Sequence, residues 1–197
     1  MSLFIETIKI VDGQIKNLPC HHTRFNHTRQ SFFPETPALD LGEWIKIPKE
    51  CTSGIFRCRV TYGEEIENIE FEKYSYPKIR SLKLVYDDDI EYSFKYKNRF
   101  QLSGLLRQRG DCDEIIIVKH RRLTDTTFSN LVFLSGGAWY SPQYPLLKGT
   151  KREMLLDEAM ISESDIFVSD LPRFEKAGLI NAMIELNELT LDIGQIH

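Results

Sequence analysis

Apolar and polar positions alternate from the start of the chain. Phe4-Ile5-Glu6-Thr7-Ile8-Lys9-Ile10-Val11 leads into Asp12-Gly13 and then Gln14-Ile15. A period of two on either side of Asp-Gly predicts a β-hairpin. Residues 21–33 read as a short helix ending in Phe32-Phe33 before Pro34, and Leu39 to Ile47 as a second helix stopped by Pro48. Ile55 to Tyr62 is a β-rich run closed by Gly63, and Ile66 to Tyr76 is strand-like up to Pro77. Two strands, two helices and two more strands predict a small mixed lobe.

The second half changes period more often. Ile79 to Val85 is strand-like, and Asp87-Asp88-Asp89 reads as a turn. From Asn98 the pattern is helical, with Phe100, Leu102, Leu105 and Leu106 on one side and Gly110-Asp111 as its end. Ile115 to Val118 is an apolar run of the kind found in buried strands. Leu131 to Leu134 and Ala138 to Tyr140 flank Ser135-Gly136-Gly137, a hairpin by its turn chemistry. A helix is predicted from Thr150 to about Met160. Another is predicted near Asp170-Leu171-Pro172, where Asp suits the N-cap and Pro the first turn. Leu179 to Ile193 fits helix or strand equally. The expectation is an α+β chain of two lobes, residues 1–78 and 79–197, without internal repeats.

Composition narrows the function. At 197 residues the chain can bury a sizeable core. No apolar run is long enough to span a bilayer, and Glu6 and Lys9 interrupt any leader pattern, so a cytoplasmic protein without a membrane partner is expected. Cys20, Cys51, Cys58 and Cys112 have no zinc spacing and are expected to be reduced. His21, His22 and His27 lack the i,i+4 spacing that puts two ligands on one helix face, so no metal is expected. A net charge of −4 argues against a nucleic-acid partner. Basic runs at 95–99, 119–122 and 148–152, set in an acidic chain, suit a small anionic substrate.

The stretch from Phe94 to Arg152 holds the candidate chemistry. It contains lysines, an aspartate among threonines and a glycine turn opening a helix, the parts needed to hold an anionic aldehyde. Lys95 and Lys97 fall on one face by alternation, so periodicity does not choose between them. Asp125 reads equally as a turn aspartate and as a buried carboxylate partner. Gly149-Thr150-Lys151 offers unpaired N–H groups and a favourable dipole to an anion.

In order along the chain, these residues resemble the class IV aminotransferase family, the fold-type IV pyridoxal-phosphate enzymes. That family includes aminodeoxychorismate lyase, D-amino-acid aminotransferase and branched-chain aminotransferase. Its Phe-Glu-Thr is matched by Ile5-Glu6-Thr7, and its His-x-x-Arg by His21-His22-Thr23-Arg24. The lyase branch's Lys-x-x-Asn-Arg is matched by Lys95-Tyr96-Lys97-Asn98-Arg99. Thr124-Asp125 to Ser129-Asn130, Gly149-Thr150-Lys151-Arg152 and Asn181-Ala182 match the family's later motifs.

The resemblance implies a two-lobed, D-amino-acid aminotransferase-like architecture with pyridoxal 5'-phosphate as cofactor. Lys95 would form the Schiff base and Asp125 would face the ring nitrogen. Arg24 with Gly149, Thr150 and Lys151 would hold the phosphate, and Ser129 and Asn130 would order the pocket. It also implies a homodimer with the site between two lobes. The implied activity is a lyase releasing pyruvate and 4-aminobenzoate for folate synthesis. The alternatives are a transaminase for branched-chain or D-amino acids, and a shortened homologue that binds without catalysing. Three departures stand out. The family's first strand before Phe-Glu-Thr is expected to be absent. Asp125 replaces a glutamate. Tyr62 stands where many relatives carry an arginine facing the substrate.

Overall fold

The computed structural model describes residues 2–197. The chain forms two compact units, one comprising the residues up to Tyr76 with Phe94–Asn98, the other Pro77–Ser93 with Arg99–His197. Lys95, assigned from the sequence to the second lobe, is therefore carried by the first unit.

In the first unit, β1 (Phe4–Val11) turns back into β2 (Gln14–Ile15). Asp12 and Gly13 both have positive φ, 48° and 74°, as the tightest hairpin turn demands. Helix α1 (Leu18–Phe32) starts earlier than expected because Pro19 occupies its first turn, where a missing N–H is harmless. The expected helix over 39–47 shrinks to one turn, α2 (Leu41–Trp44), capped by Asp40, whose Oδ1 accepts from the Gly42 N–H at 2.9 Å. Ile45 is already extended, and a 3-10 turn at Lys49–Cys51 follows. β3 (Ile55–Tyr62) and β4 (Ile66–Lys73) complete an antiparallel sheet of order β2-β1-β3-β4. Its helix-facing side packs Phe4, Ile8, Ile10, Cys58, Val60 and Tyr62 against Phe25, Leu41 and Ile45. The segment 94–98 runs beside the start of β1: the Ile5 N–H donates to the Lys95 carbonyl at 2.9 Å, and the Lys97 N–H to the Leu3 carbonyl at 2.8 Å.

The second unit contains β5 (Leu82–Tyr86), α3 (Phe100–Leu106), β6 (Glu114–Lys119) and β7 (Arg122–Leu123), followed by β8 (Asn130–Ser135), β9 (Ala138–Pro142) and α4 (Thr150–Asp157). β10 (Ser162–Ser164), β11 (Lys176–Ile180) and β12 (Thr190–Asp192) end it. β5 and β6 pair in parallel, with β7 folded back on β6. A second sheet has order β10-β9-β8-β11-β12 and is antiparallel except at β9/β10. Ile115 to Val118 are fully buried, as an apolar strand covered on both faces should be.

Two expectations change here. The helix near Asp170 is a 3-10 run, Val168–Arg173, in which the Asp170 carboxylate turns back to accept the Phe167 N–H at 2.9 Å. The ambiguous C-terminal stretch is strand where it meets β8. Gly178 allows that close approach, because a Cβ there would lie 2.8 Å from Val132 Cγ2 and 3.3 Å from the Trp139 ring. No helix among the described residues is long and apolar enough to cross a membrane.

Candidate functional site

Glu6 lies on the face of β1 that also carries Phe4, Ile8 and Ile10, and it is fully buried. A carboxylate in an apolar row persists only when donors meet it. They come from one face of α1, three residues apart. Arg24 donates through Nε to Glu6 Oε1 at 2.8 Å and through Nη2 to Oε2 at 2.6 Å. His21 Nδ1 lies 2.7 Å from Oε2. Burial alone would raise the Glu6 carboxyl, but Arg24 and His21 overcome it and hold it at about 2. Burial lowers the His21 pKa against the pull of Glu6, so the imidazole is neutral and its Nδ1 carries the proton donated to the carboxylate. The positive charge of Lys95 also acts on His21, and Lys95 is half-buried whereas Lys97 is exposed. The structure thus separates two lysines that alternation leaves equivalent. Tyr62 is buried in the aromatic core against Phe4 and Phe25, and its hydroxyl approaches Thr28 without reaching hydrogen-bond geometry.

In the second unit, Asp125, Asn130 and the turn before α4 form one joint. Asn130 Nδ2 donates to Asp125 Oδ1 and to the Leu147 carbonyl, both at 2.8 Å, and the Leu147 N–H donates to Asp125 Oδ2 at 2.9 Å. Burial pushes the Asp125 carboxyl up to about 6, against the Leu147 N–H and Asn130, which favour its charge. Gly149 is extended (φ −78°, ψ 138°), a conformation open to any residue. It must be glycine for another reason: a Cβ there would lie 1.9 Å from Asn130 Oδ1. The close approach that the sequence suggests for a ligand is made by this carboxamide. The N-cap of α4 is Gly149, which has no side chain to cap it, and the first-turn N–H groups belong to Thr150, Lys151 and Arg152.

The neighbouring residues hold this joint in place. Ser129 and Thr126 close the loop after Asp125, with Oγ–Oγ1 at 2.8 Å and the Ser129 N–H donating to Thr126 Oγ1 at 3.0 Å. Arg99, last in the Lys-x-x-Asn-Arg motif, donates to the Thr127 carbonyl. Glu114 accepts from Thr127 Oγ1 at 2.8 Å, and burial raises its pKa. The Lys151 ammonium pairs with Glu185, so this residue's side chain is tied to the chain near the C-terminus. Arg152 is almost wholly buried and binds Ser141 Oγ (3.0 Å), the Pro142 carbonyl (2.9 Å) and Glu163 (2.6 Å), a structural anchor for α4. The basic run at 119–122 borders a cavity of about 400 Å3, where Lys119 pairs with Glu91 and Arg122 with Asp165.

Glu6, Glu114 and the Asn130–Gly149 contact were not singled out from sequence as parts of a site. Glu6 carried a usable signal, since alternation puts it in the core row and a carboxylate there requires partners. Glu114 and the 130–149 contact carried none, because both depend on tertiary neighbours.

Comparisons with known proteins show what the whole chain is similar to. The family profile of amino-transferase class IV matches residues 93–189. An uncharacterized protein of Haemophilus influenzae is 38% identical over 180 residues, which cover 90% of this chain and 96% of that protein. The crystal structure of a proposed 4-amino-4-deoxychorismate lyase from Haemophilus somnus matches with a TM-score of 0.88 at 35% identity, over 94% of this chain and 98% of that one. A hypothetical aminotransferase from Mycobacterium tuberculosis, solved in its PLP-bound form, shares the fold: TM-score 0.76, 16% identity, 98% of this chain and 81% of that one.

Proposed function

Because the chain belongs to the class IV aminotransferases, a family of pyridoxal-phosphate-dependent enzymes, we propose that it is a 4-amino-4-deoxychorismate lyase, releasing pyruvate and 4-aminobenzoate. The observation that carries the reading is the joint at Asn130, which ties a buried carboxylate to the start of α4. A ring-nitrogen acceptor and a phosphate turn need to be held at a set separation, and the Asn130 side chain would do that here. The match of Lys95-x-x-Asn98-Arg99 to the lyase branch, and the Haemophilus somnus relative, favour this reaction over transamination.

The residues present fit the cofactor by their donor chemistry. Asp125 is an acceptor when ionised, and its carboxyl, raised by burial, gains from a cationic N–H partner. The first-turn N–H groups of α4, behind a glycine N-cap, suit a phosphate, and a guanidinium adds directed donors. Lys95 would hold the aldehyde, Asp125 the ring nitrogen, and Arg24 with the backbone of Gly149, Thr150 and Lys151 the phosphate. Ser129 and Asn130 would keep Asp125 in place. When bound, pyridoxal phosphate supplies an electron-accepting ring. Lys95 is the base that takes the proton from the amine-bearing ring carbon of the substrate. The ring C–O bond breaks, the ring becomes aromatic, and one proton is delivered to the enolpyruvyl methylene. The substrate's atoms divide between the two products with none added. The enzyme would act in the cytoplasm, in folate synthesis, as a homodimer on this small anionic substrate.

Two measurements test this. The protein loaded with pyridoxal phosphate is reduced with borohydride and digested; mass spectrometry should find the pyridoxyl group on Lys95. Label on Lys97, or none, would overturn the site. The loaded protein is then given 4-amino-4-deoxychorismate, or an amino acid with 2-oxoglutarate. Release of 4-aminobenzoate supports the lyase, whereas new amino acid and no 4-aminobenzoate makes the protein a transaminase.

A further inference from the structure

We infer that Glu6, seconded by His21, is the positioning residue for Arg24, fixing its guanidinium in the orientation in which it receives the cofactor's phosphate. This rests on the reading above that Arg24 is a phosphate residue. Three observations lead to it.

The first is where the carboxylate stands. The other members of its row, Phe4, Ile8 and Ile10, are apolar, and a hydrophobic side chain at position 6 would complete the core. Buried ion pairs are often matched or bettered for stability by well-packed apolar residues. The pair therefore does something that packing does not.

The second is the geometry of the contact. Glu6 takes Nε and Nη2, one edge of a planar group with five donors. A side-on bidentate contact sets both the plane and the direction of the guanidinium. His21, one turn earlier on α1, shares Oε2 with Arg24 and so holds the carboxylate itself. Nothing is left to be ordered when a ligand arrives, and preorganisation of this kind raises affinity.

The third is the sign of the charges. Arg24 and Glu6 cancel, and His21 is neutral because burial lowers its pKa. The cluster's net positive charge comes from Lys95, which lies close enough to act on His21. Arg24 thus offers directed N–H groups more than charge. This gives positioning and simple attraction opposite predictions. Removing the Glu6 charge makes the cluster more positive, so attraction alone would tighten phosphate binding. Positioning requires that it weaken.

The test compares pyridoxal phosphate with pyridoxal, which lacks the phosphate, on the full-length chain stripped of cofactor. Binding is followed by absorbance for the unmodified protein, Glu6→Gln and Arg24→Gln. Both ligands present the same aldehyde to Lys95, so its contribution cancels. Glu6→Gln should raise the Kd for pyridoxal phosphate about ten-fold, the loss expected when a charge-assisted bond is misdirected, and leave pyridoxal within about two-fold. Arg24→Gln should do the same. If Glu6→Gln binds pyridoxal phosphate as well as or better than the parent while Arg24→Gln does not, positioning by Glu6 is wrong and the Arg24 assignment stands. If Arg24→Gln does not distinguish the two ligands, the assignment of Arg24 itself fails, and the inference with it. Should Glu6→Gln fail to fold, the double variant Glu6→Met/His21→Leu, which fills the space with apolar atoms, takes its place with the same expected outcomes.

Discussion

Gly149→Ala is the substitution whose sign the structure decides. At φ −78° and ψ 138° alanine suffers no backbone strain, and on chain entropy alone it would stabilise the fold by about 0.4–1 kcal/mol. The new methyl would lie 1.9 Å from Asn130 Oδ1, so the carboxamide must move by more than an ångström. That breaks the bonds from Asn130 Nδ2 to Asp125 and to the Leu147 carbonyl. A bond to a carboxylate contributes about 1.5–3 kcal/mol and a neutral one about 0.5–1.5 kcal/mol, so a net loss of about 2–4 kcal/mol is expected. Urea unfolding of Gly149→Ala, Asn130→Ala and the double variant measures it. Asn130→Ala alone should be destabilising by a similar amount. The double variant should be little worse than Asn130→Ala, because the methyl then meets no carboxamide. The coupling between the two positions should therefore be about 2 kcal/mol or more. A neutral or stabilising Gly149→Ala, or strictly additive losses, would refute the joint.

The two buried carboxylates predict opposite pH effects. Glu6 falls from 4.5 to about 2 on folding, so its contribution, about 3 kcal/mol, is fully present above pH 4.5 and is lost as pH falls through 2. Urea midpoints in that range should drop steeply for the parent and less for Glu6→Gln, and parallel curves would contradict the assignment. Asp125 rises from 3.8 to about 6, so it favours the fold below pH 3.8, and that contribution, about 3 kcal/mol, is lost as pH rises through 6. In the cofactor-free protein, Asp125→Asn should remove this decline between pH 4 and 6; an unchanged slope would mean that the carboxyl is not raised. Gly178→Ala forces a methyl toward Val132 Cγ2 and the Trp139 ring and should destabilise by about 1–3 kcal/mol, read as a lowered Tm, with Val132→Ala restoring part of it.

Local chemistry made some of this legible beforehand. The Asp12-Gly13 turn, the strands around Gly136-Gly137 and the buried run Ile115 to Val118 carry their structure in neighbouring residues, and they appear where the alternation puts them. α2 was overestimated because Leu39 to Ile47 has a helical pattern, yet the chain after Trp44 is extended. The stretch after Leu179 had no local answer. Its state follows from pairing with β8, across a glycine that the Val132 and Trp139 contacts explain. The candidate site divides in the same way. Asp125, Asn130 and Gly149 could be named from their motif, but the carboxamide that links positions 19 residues apart could not. Lys95 and Lys97 were equivalent by period. Only the neighbours supplied by β1 and α1 distinguish them.

β4 forms one margin of the four-stranded sheet, and Glu67, Glu70 and Glu72 punctuate it between Ile66, Ile69 and Phe71. An open strand with that apolar spacing is a template for another chain, and like charges facing one another discourage such pairing. The acidic run here therefore acts as a guard against edge-to-edge pairing with other chains. Replacing Glu67, Glu70 and Glu72 with threonine should make this protein prone to fibrous or amorphous deposits while its interior stays intact.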